Sequence, residues 1–293
     1  MKIRLSEKSL KIGFAKVIGV IDIAPDDRRS EGDFIEIAKK MQSSGAEFVE
    51  IGIAYAEKEG ADRDTEERLL LPVVRAVADS TSLFIGANTS FPDIMEKAVT
   101  LGASFIIDEL ALRREGAIET VAKLQVPVCL CYDPFFGEYE NETDGDEVSN
   151  VSEFFFERID SCLNGGIRRN MLMLDVTLNS RVSLDVRLKV FGRIESFKSF
   201  ALPIILQLPR CYPPKDALLE ESAAIPITLT LFCATHGVAF IRTKKVEDAT
   251  IALATWHLAN QKARPFQLSK GVIRRLRNLR DRIHIKIHKK KEI

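Results

Sequence analysis

The chain has 293 residues, of which 46% are hydrophobic and 29% are charged, as in an ordinary globular protein with a large core. Its 42 basic and 42 acidic residues cancel, so the overall charge does not indicate a partner such as nucleic acid or an acidic membrane. The sequence contains no signal-peptide pattern and no eighteen-residue apolar run, and its five cysteines form no CxxC pair. These features predict a cytoplasmic protein, and they favour free thiols over a disulfide framework or a zinc site.

Eight short apolar segments alternate along the chain with longer amphipathic segments of helical period. Without strict polar alternation, such segments are typical of parallel strands that are buried on both faces. The predicted strands are residues 17–23, 47–51, 83–87, 104–107, 126–132, 171–174, 204–206 and 238–241. Eight strand–helix units in a chain of this length predict an α/β fold, the (β/α)8 TIM barrel.

A doubly wound open sheet is the alternative architecture, but it usually carries a glycine-rich first turn. Here the first turn reads IAPDDRRSEGD, without the GxGxxG pattern, so the barrel is favoured. No segment reads as a linker, which predicts one domain over residues 1–293. Residues 133–152 are acidic and turn-rich and predict a long loop, whereas a basic extension begins at about residue 262.

Polar side chains follow the predicted strands, at the end of a TIM barrel where function resides. Any strand leaves its sheet through polar turn residues, so each single case has a structural explanation. The whole ring is more informative, because several of these residues come directly out of an apolar segment. Besides Glu50, Tyr132 and Asp133, the ring contains the candidate site residues Asp22, Asn88, Asp108, Asp175, Gln207, Arg210, Arg242 and Lys244.

Carboxylates and amides at one mouth can bind a heterocycle whose edge carries N–H and C=O groups. The cations after the last two strands lie where such barrels commonly bind phosphate. The ring therefore predicts a ligand with a polar heterocycle and an anionic end. Cys129 and Cys131 share one face of the fifth predicted strand and are interpreted as small core residues.

Five stretches between about residues 17 and 259 read GVIDIAPDD, SSGAEFVEIG, EERLLLPVV, AVTLGASFIIDELALRR and HGVAFIRTKKVEDA. They resemble, in the same order, motifs of the dihydropteroate synthase family of pterin-binding TIM barrels. GVIDIAPDD resembles GILNVTPDS, SSGAEFVEIG resembles AGADIIDIG, and EERLLLPVV resembles the ExRxxPVI helix. AVTLGASFIIDELALRR resembles AxxAGAxIINDVSALR, and HGVAFIRTKKVEDA resembles GAxIIRVHDV.

The resemblance implies roles for several residues. In the family, side chains at the ends of strands three, four and six hold the pterin ring, and they correspond here to Asn88, Ile107 and Asp175. Asp108 matches the acid beside the family's asparagine, and Gln207 and Arg210 fall in the segment that contacts substrate. Asp22 replaces an asparagine that binds metal and pyrophosphate, which makes Mg²⁺ a candidate cofactor.

Other family motifs are altered in this chain. The lysine of the SRK signature is replaced by Cys211, and the loop that closes on p-aminobenzoate is unrecognisable at residues 54–58. The terminal RxH motif becomes Arg242 and Lys244, which retains two cations as candidate catalytic groups for a departing pyrophosphate.

Three functions remain open from the sequence. The first is a divergent transferase of folate biosynthesis that joins an amine to a pterin–CH2 group as pyrophosphate leaves. The second is a non-enzymatic homologue that binds a ligand or a partner, and the third is a methyltransferase that uses a methylated folate, weakly suggested by the stretch NTSFP at residues 88–92. A homodimer is compatible with each of them.

The cations that follow the last two predicted strands give the most specific expectation. Arg242 is expected to lie in a wet mouth and to anchor an anion site with Lys244 and Arg210. The alternative is that Arg242 pairs structurally with Asp175 or Glu247, in which case its loss would destabilise the fold.

Overall fold

The computed structural model describes residues 2–5, 8–11, 14–54, 62–132, 146–178, 182–208 and 224–262. Arg210, residues 133–145 of the predicted loop and the basic extension beyond residue 262 lie outside these ranges. The chain divides into two compact units, residues 1–254 and 255–293. The first unit contains the whole barrel, and the described part of the second is the end of one helix.

The predicted TIM barrel is confirmed. A short antiparallel hairpin, β1 (Lys2–Leu5) and β2 (Lys8–Lys11), precedes eight parallel strands that form a closed barrel in the order β10-β3-β4-β5-β6-β7-β8-β9. The barrel strands are β3 (Lys16–Ile23), β4 (Phe48–Ile53), β5 (Phe84–Asn88), β6 (Phe105–Asp108), β7 (Val128–Cys131), β8 (Leu172–Asp175), β9 (Ile204–Gln207) and β10 (Phe240–Thr243). Each corresponds to a predicted segment, with ends shifted by a few residues.

Helices connect the strands in the expected alternation. They are α1 (Glu31–Ser43), α2 (Arg63–Ser80), α3 (Pro92–Thr100), α4 (Ala117–Leu124), α5 (Glu147–Asn164), α6 (Leu184–Gly192), α7 (Ala224–Thr235) and α8 (Val246–Lys262). Two 3-10 segments, Arg169–Met171 and Ile194–Phe200, precede β8 and β9. Because α5 begins at Glu147, the last residues of the predicted 133–152 loop are helical, which corrects its boundary. None of the helices among the described residues is long and apolar enough to cross a membrane.

The start of α1 illustrates how local sequence sets these boundaries. The Ser30 hydroxyl accepts a hydrogen bond from the Asp33 backbone N–H, and the Asp33 carboxylate accepts one from the Ser30 N–H at 2.7 Å. This reciprocal capping box satisfies two backbone donors that the first helical turn leaves without partners. The helix therefore begins directly after the acidic turn that follows β3.

Apolar side chains pack in two layers. The larger layer lies between the outer face of the strands and the helices. The smaller layer fills the inside of the barrel, where the Phe48 ring stacks on Phe84 at 5.2 Å and meets the rings of Phe105 and Phe240 edge-on. Gly86 makes room for this packing, since a Cβ at that position would come within 2.4 Å of the Phe105 ring. The barrel interior therefore has an aromatic floor.

Strand alternation then decides which residues reach the mouth above that floor. Phe48 faces inward, so Glu50, two positions further along β4, faces inward as well. The same reasoning places an inward-facing polar residue at the end of most strands. These residues are Asp22, Glu50, Asn88, Asp175, Gln207 and Arg242.

Phe48→Ala should lower the free energy of unfolding by about 3–5 kcal/mol, because it removes the ring that the other floor residues pack against. Urea denaturation at neutral pH measures the change. Phe156→Ala is the matched control: its side chain is 71% exposed, so its effect should stay within about 0.5 kcal/mol. Equal effects of the two substitutions would contradict the aromatic floor.

Candidate functional site

A buried ionic cluster occupies the carboxyl-terminal end of the barrel. The Arg242 guanidinium donates one hydrogen bond to Glu50 and another to Asp175, and both contacts are short ion pairs. Glu50 also accepts a hydrogen bond from the Asn88 amide at 2.9 Å. The cluster therefore joins the ends of β4, β5, β8 and β10 in a single network.

Arg242 does not lie in a wet mouth, which corrects the expectation from the sequence. The residue is only 4% exposed, and it is held between two carboxylates that are equally buried. The alternative of a structural pair with Asp175 is the arrangement that the structure contains, although Glu50 rather than Glu247 is the second partner. A guanidinium with two carboxylate partners has little capacity left for a bound anion.

Charge and burial act in opposite directions on the cluster. Burial raises the pKa of Glu50 above its ordinary value, while the charge of Arg242 and the hydrogen bonds of Arg242 and Asn88 oppose this rise. Burial alone would lower the pKa of Arg242, but the charges of Glu50 and Asp175 outweigh it and raise that pKa well above its ordinary value. Arg242 is therefore permanently charged, whereas burial favours the neutral form of Glu50.

Two polar atoms of the cluster are buried without a partner among the described residues. They are Oε2 of Glu50, an acceptor, and Nε of Arg242, a donor. A buried polar atom without a hydrogen bond costs roughly 1–3 kcal/mol, so such atoms are uncommon unless a water molecule or a ligand satisfies them.

Asp175 is fixed by the chain that follows it. Its Oδ1 accepts hydrogen bonds from the Thr177 backbone N–H at 2.8 Å and from the Thr177 hydroxyl. The same hydroxyl oxygen accepts a bond from the backbone N–H of Gln207 at 2.8 Å. Asp175 is thereby oriented toward Arg242, and the half-buried Gln207 is brought to the same edge.

Asp108 does not open on the mouth, contrary to the prediction. Its carboxylate accepts hydrogen bonds from the Ser90 hydroxyl and from the backbone N–H groups of Leu110 and Leu112, at 2.8 and 2.9 Å for the backbone donors. The residue is fully buried, and that burial raises its pKa against the effect of these bonds. Asp108 follows the inward-facing Ile107, so it faces the helices and holds the turn after β6.

The predicted metal residue, Asp22, is flanked by two cations. Its Oδ2 lies 2.6 Å from Lys244 Nζ, and its backbone oxygen accepts a hydrogen bond from Arg29 at 2.7 Å. The Lys244 side chain is 62% exposed and that of Asp22 is 34% exposed. Asp22 and Lys244 therefore form a solvent-facing pair at the rim, above the buried cluster.

Comparison with known proteins follows this geometry. The family described as pterin binding enzyme matches residues 18–244, which is most of the chain and includes all of the barrel strands except the first two residues of β3. The chain belongs to this family. The resemblance to the dihydropteroate synthases that the sequence predicts is thus confirmed.

Curated relatives and solved structures agree with this assignment. The dihydropteroate synthase of Escherichia coli is 28% identical over 268 residues, covering 86% of this chain and 94% of the relative. That of Haemophilus influenzae is 27% identical over 282 residues, covering 87% and 98%. The Xanthomonas albilineans dihydropteroate synthase in complex with 7,8-dihydropteroate superposes with a TM-score of 0.78 at 24% identity, covering 90% of this chain and all of that one, which supports the shared fold.

Glu50 stands in the predicted ring of polar strand ends, but it is not among the candidate site residues selected from that ring. It stands in FVEIGI, a strand in which every residue is buried, and it is the only charged residue there. A charge inside a fully buried strand is costly without a partner. A single charged residue in such a strand is therefore the sequence signal that could have identified Glu50. The structure supplies the partner in Arg242, 192 residues further along the chain.

Arg242→Met should reduce the free energy of unfolding by about 3–5 kcal/mol at neutral pH, because it leaves Glu50 and Asp175 buried without a compensating charge. The loss should become smaller as the pH falls, because Glu50, whose pKa burial already raises, can then take up a proton in the folded variant. Urea denaturation at several pH values measures both effects.

Arg75→Ala provides the control, since Arg75 is exposed on α2 and its loss should change stability by less than about 0.5 kcal/mol. If Arg242→Met were as stable as the parent protein at neutral pH, the guanidinium would not be compensating buried charge.

Proposed function

We propose that this protein binds a pterin at the carboxyl-terminal mouth of the barrel, in contact with Glu50, Asn88, Asp175 and Arg242. The observation that carries the proposal is the pair of buried atoms, Glu50 Oε2 and Arg242 Nε, that have no partner among the described residues. One is an acceptor and the other a donor. A ligand that presents an N–H and an acceptor atom on one edge would satisfy both.

The chemistry of a pterin fits this demand. The pyrimidine half of the ring carries an exocyclic amino group, ring nitrogens and a carbonyl oxygen along one edge, so donors and acceptors alternate. Half-buried Asn88 adds an amide whose position Glu50 fixes at 2.9 Å. The flat π faces of the heterocycle are compatible with the aromatic side chains that line the barrel below.

The dihydropteroate synthases among the relatives support a more specific proposal, namely transfer of the pterin–CH2 group to an amine. In that reaction a C–O bond to pyrophosphate breaks, a C–N bond to the amine forms, and the amine loses a proton. The protein contributes positioning and charge compensation for the leaving pyrophosphate. Since Arg242 is occupied by two carboxylates, the exposed Lys244 is the candidate cation for this anion among the residues that the structure describes.

The arrangement at Asp22 does not favour Mg²⁺. A divalent cation would have to share one carboxylate with Lys244, which lies 2.6 Å away, and with the charge of Arg29. Asp27, in the same turn, is engaged by Arg29 and by the Ala24 N–H. In the proposed transfer, the protein's own cations therefore compensate the charge of the leaving pyrophosphate. Lys244 is the cation next to Asp22.

A non-enzymatic homologue is the second candidate, and one observation favours it. Lys244 at the rim and Arg242 in the buried cluster are both already paired with carboxylates. Binding a pyrophosphate group would have to break one of these pairs. The methyltransferase alternative gains no support, because the Thr89 and Ser90 side chains donate to Glu66 and Asp108 instead of facing the mouth.

Calorimetric titration with a reduced pterin tests the binding proposal. Glu50→Gln should weaken the affinity by roughly 10- to 150-fold, which corresponds to the loss of about 1.5–3 kcal/mol for a hydrogen bond to a charged group. Glu47→Gln is the matched control: this residue precedes β4 at the opposite end of the barrel and pairs with Lys16, so it should leave the affinity unchanged. Absence of binding by the parent protein would refute the proposal.

Pyrophosphate release from a pterin–CH2 pyrophosphate in the presence of 4-aminobenzoate separates the two candidates. If the protein is a transferase, Lys244→Ala should lower kcat/KM by at least about 10-fold, because the exposed lysine contacts the leaving group. Lys39→Ala, on the outer side of α1, should not change it. Pterin binding with no measurable release would establish the non-enzymatic candidate.

A further inference from the structure

Two cysteines and one carboxylate meet inside the barrel. Cys129 and Cys131 are two residues apart on β7, so both face inward, and the register of β7 with β8 places Cys131 directly beside Asp175. The two sulfur atoms and a carboxylate oxygen of Asp175 all lie within 4.8 Å of one another. All three residues are buried. Within the described ranges, no other set of three His, Cys, Asp or Glu side chains meets in this way.

The donor atoms specify a kind of cation. Thiolate sulfur favours thiophilic ions such as Zn²⁺ and is a poor ligand for Mg²⁺ or Ca²⁺, which prefer oxygen. Two sulfurs and one oxygen are three ligands of a tetrahedral Zn²⁺ ion. Such a set leaves the fourth position open for water or a ligand atom, as in catalytic rather than structural zinc sites.

The surroundings can accommodate the charge of a metal-bound site. The hydrogen bond between the two thiols and burial raise the pKa of Cys131, and burial raises that of Cys129, so both hold their protons when no metal is bound. A bound cation would displace these protons. The resulting thiolates, with Asp175 and Glu50, would face the Arg242 guanidinium and the divalent ion, which together compensate most of the buried negative charge.

We propose that Cys129, Cys131 and Asp175 bind one thiophilic divalent cation of the Zn²⁺ class, with one coordination position open toward the mouth of the barrel. The odd cysteine count and the missing CxxC pattern disfavoured a zinc site in the sequence. The structure supplies the third ligand from a different strand, which spacing along the chain cannot reveal. The proposal does not depend on pterin binding, because it rests on the ligand geometry alone.

Titration of the full-length, reduced and metal-free protein with Co²⁺ tests the site. Cobalt–thiolate bonds give charge-transfer absorption in the near ultraviolet, and Zn²⁺ should remove that absorption by competition. We expect one Co²⁺ per chain and the release of roughly two protons per ion, one from each thiol. The Co²⁺ affinity of Cys131→Ser should fall by at least about 100-fold, since even changes outside the ligand shell cost roughly 10- to 100-fold.

Cys162→Ser and Cys233→Ser are the matched controls, because these cysteines are also buried but lie on α5 and α7. Both variants should retain the absorption and the affinity. Cys129→Ser provides a second ligand variant should Cys131→Ser fail to fold, which circular dichroism would detect. The proposal is overturned if the parent protein gives no thiolate absorption. It is also overturned if the absorption persists in both ligand variants; its disappearance on replacing Cys211 would then identify the thiol responsible.

Discussion

The barrel depends at its functional end on one guanidinium held between two carboxylates. Arg242 comes from β10, Glu50 from β4 and Asp175 from β8, so the three charges tie together strands from separate parts of the barrel wall. None of the three could be buried alone, because an unpaired charge in this environment costs several kcal/mol. Their mutual dependence makes the cluster a constraint on everything built around it. The orientation of Asn88, whose amide donates a hydrogen bond to Glu50, follows from it.

The same constraint limits what the family relationship implies. A cation at the end of the last strand can bind a leaving anion only if it is not already neutralised. Here Arg242 is neutralised inside the barrel, while Lys244 shares its charge with Asp22 at the rim. The two pairs differ in strength, because the rim pair is exposed to water, which weakens it to about 0–1 kcal/mol. Anion binding at the rim is therefore energetically accessible, whereas anion binding by the buried pair is not.

Much of the architecture could be predicted from sequence, because parallel strands buried on both faces leave a strong local signal. All eight strands and the barrel are examples. Within the site, Asp22 and Asp175 do reach the inner face, since each ends an apolar strand with the appropriate parity. The prediction for Asp108 is wrong because closeness to a strand end does not decide which way a side chain faces. Successive residues of a strand face opposite sides, and Asp108 comes one position after the inward-facing Ile107.

Arg242 could not be assigned from local pattern, since whether a cation is wet or buried depends on its partners. Those partners are 192 and 67 residues away in the chain. The sequence does not indicate the cluster of Cys129, Cys131 and Asp175 for the same reason. Only the register between β7 and β8 brings Asp175 to the two cysteines.

Gly86 illustrates how far a small local feature extends. In the strand register it lies between Glu50 and Phe105, and the ring of Phe105 occupies the space that any side chain at position 86 would need. Because Gly86 has no side chain, the Phe105 ring can lie against this part of β5 and contribute to the aromatic floor. A larger residue at position 86 would displace this ring, which packs edge-on against Phe48. The absence of a side chain at position 86 therefore helps to determine the chemical character of the barrel interior.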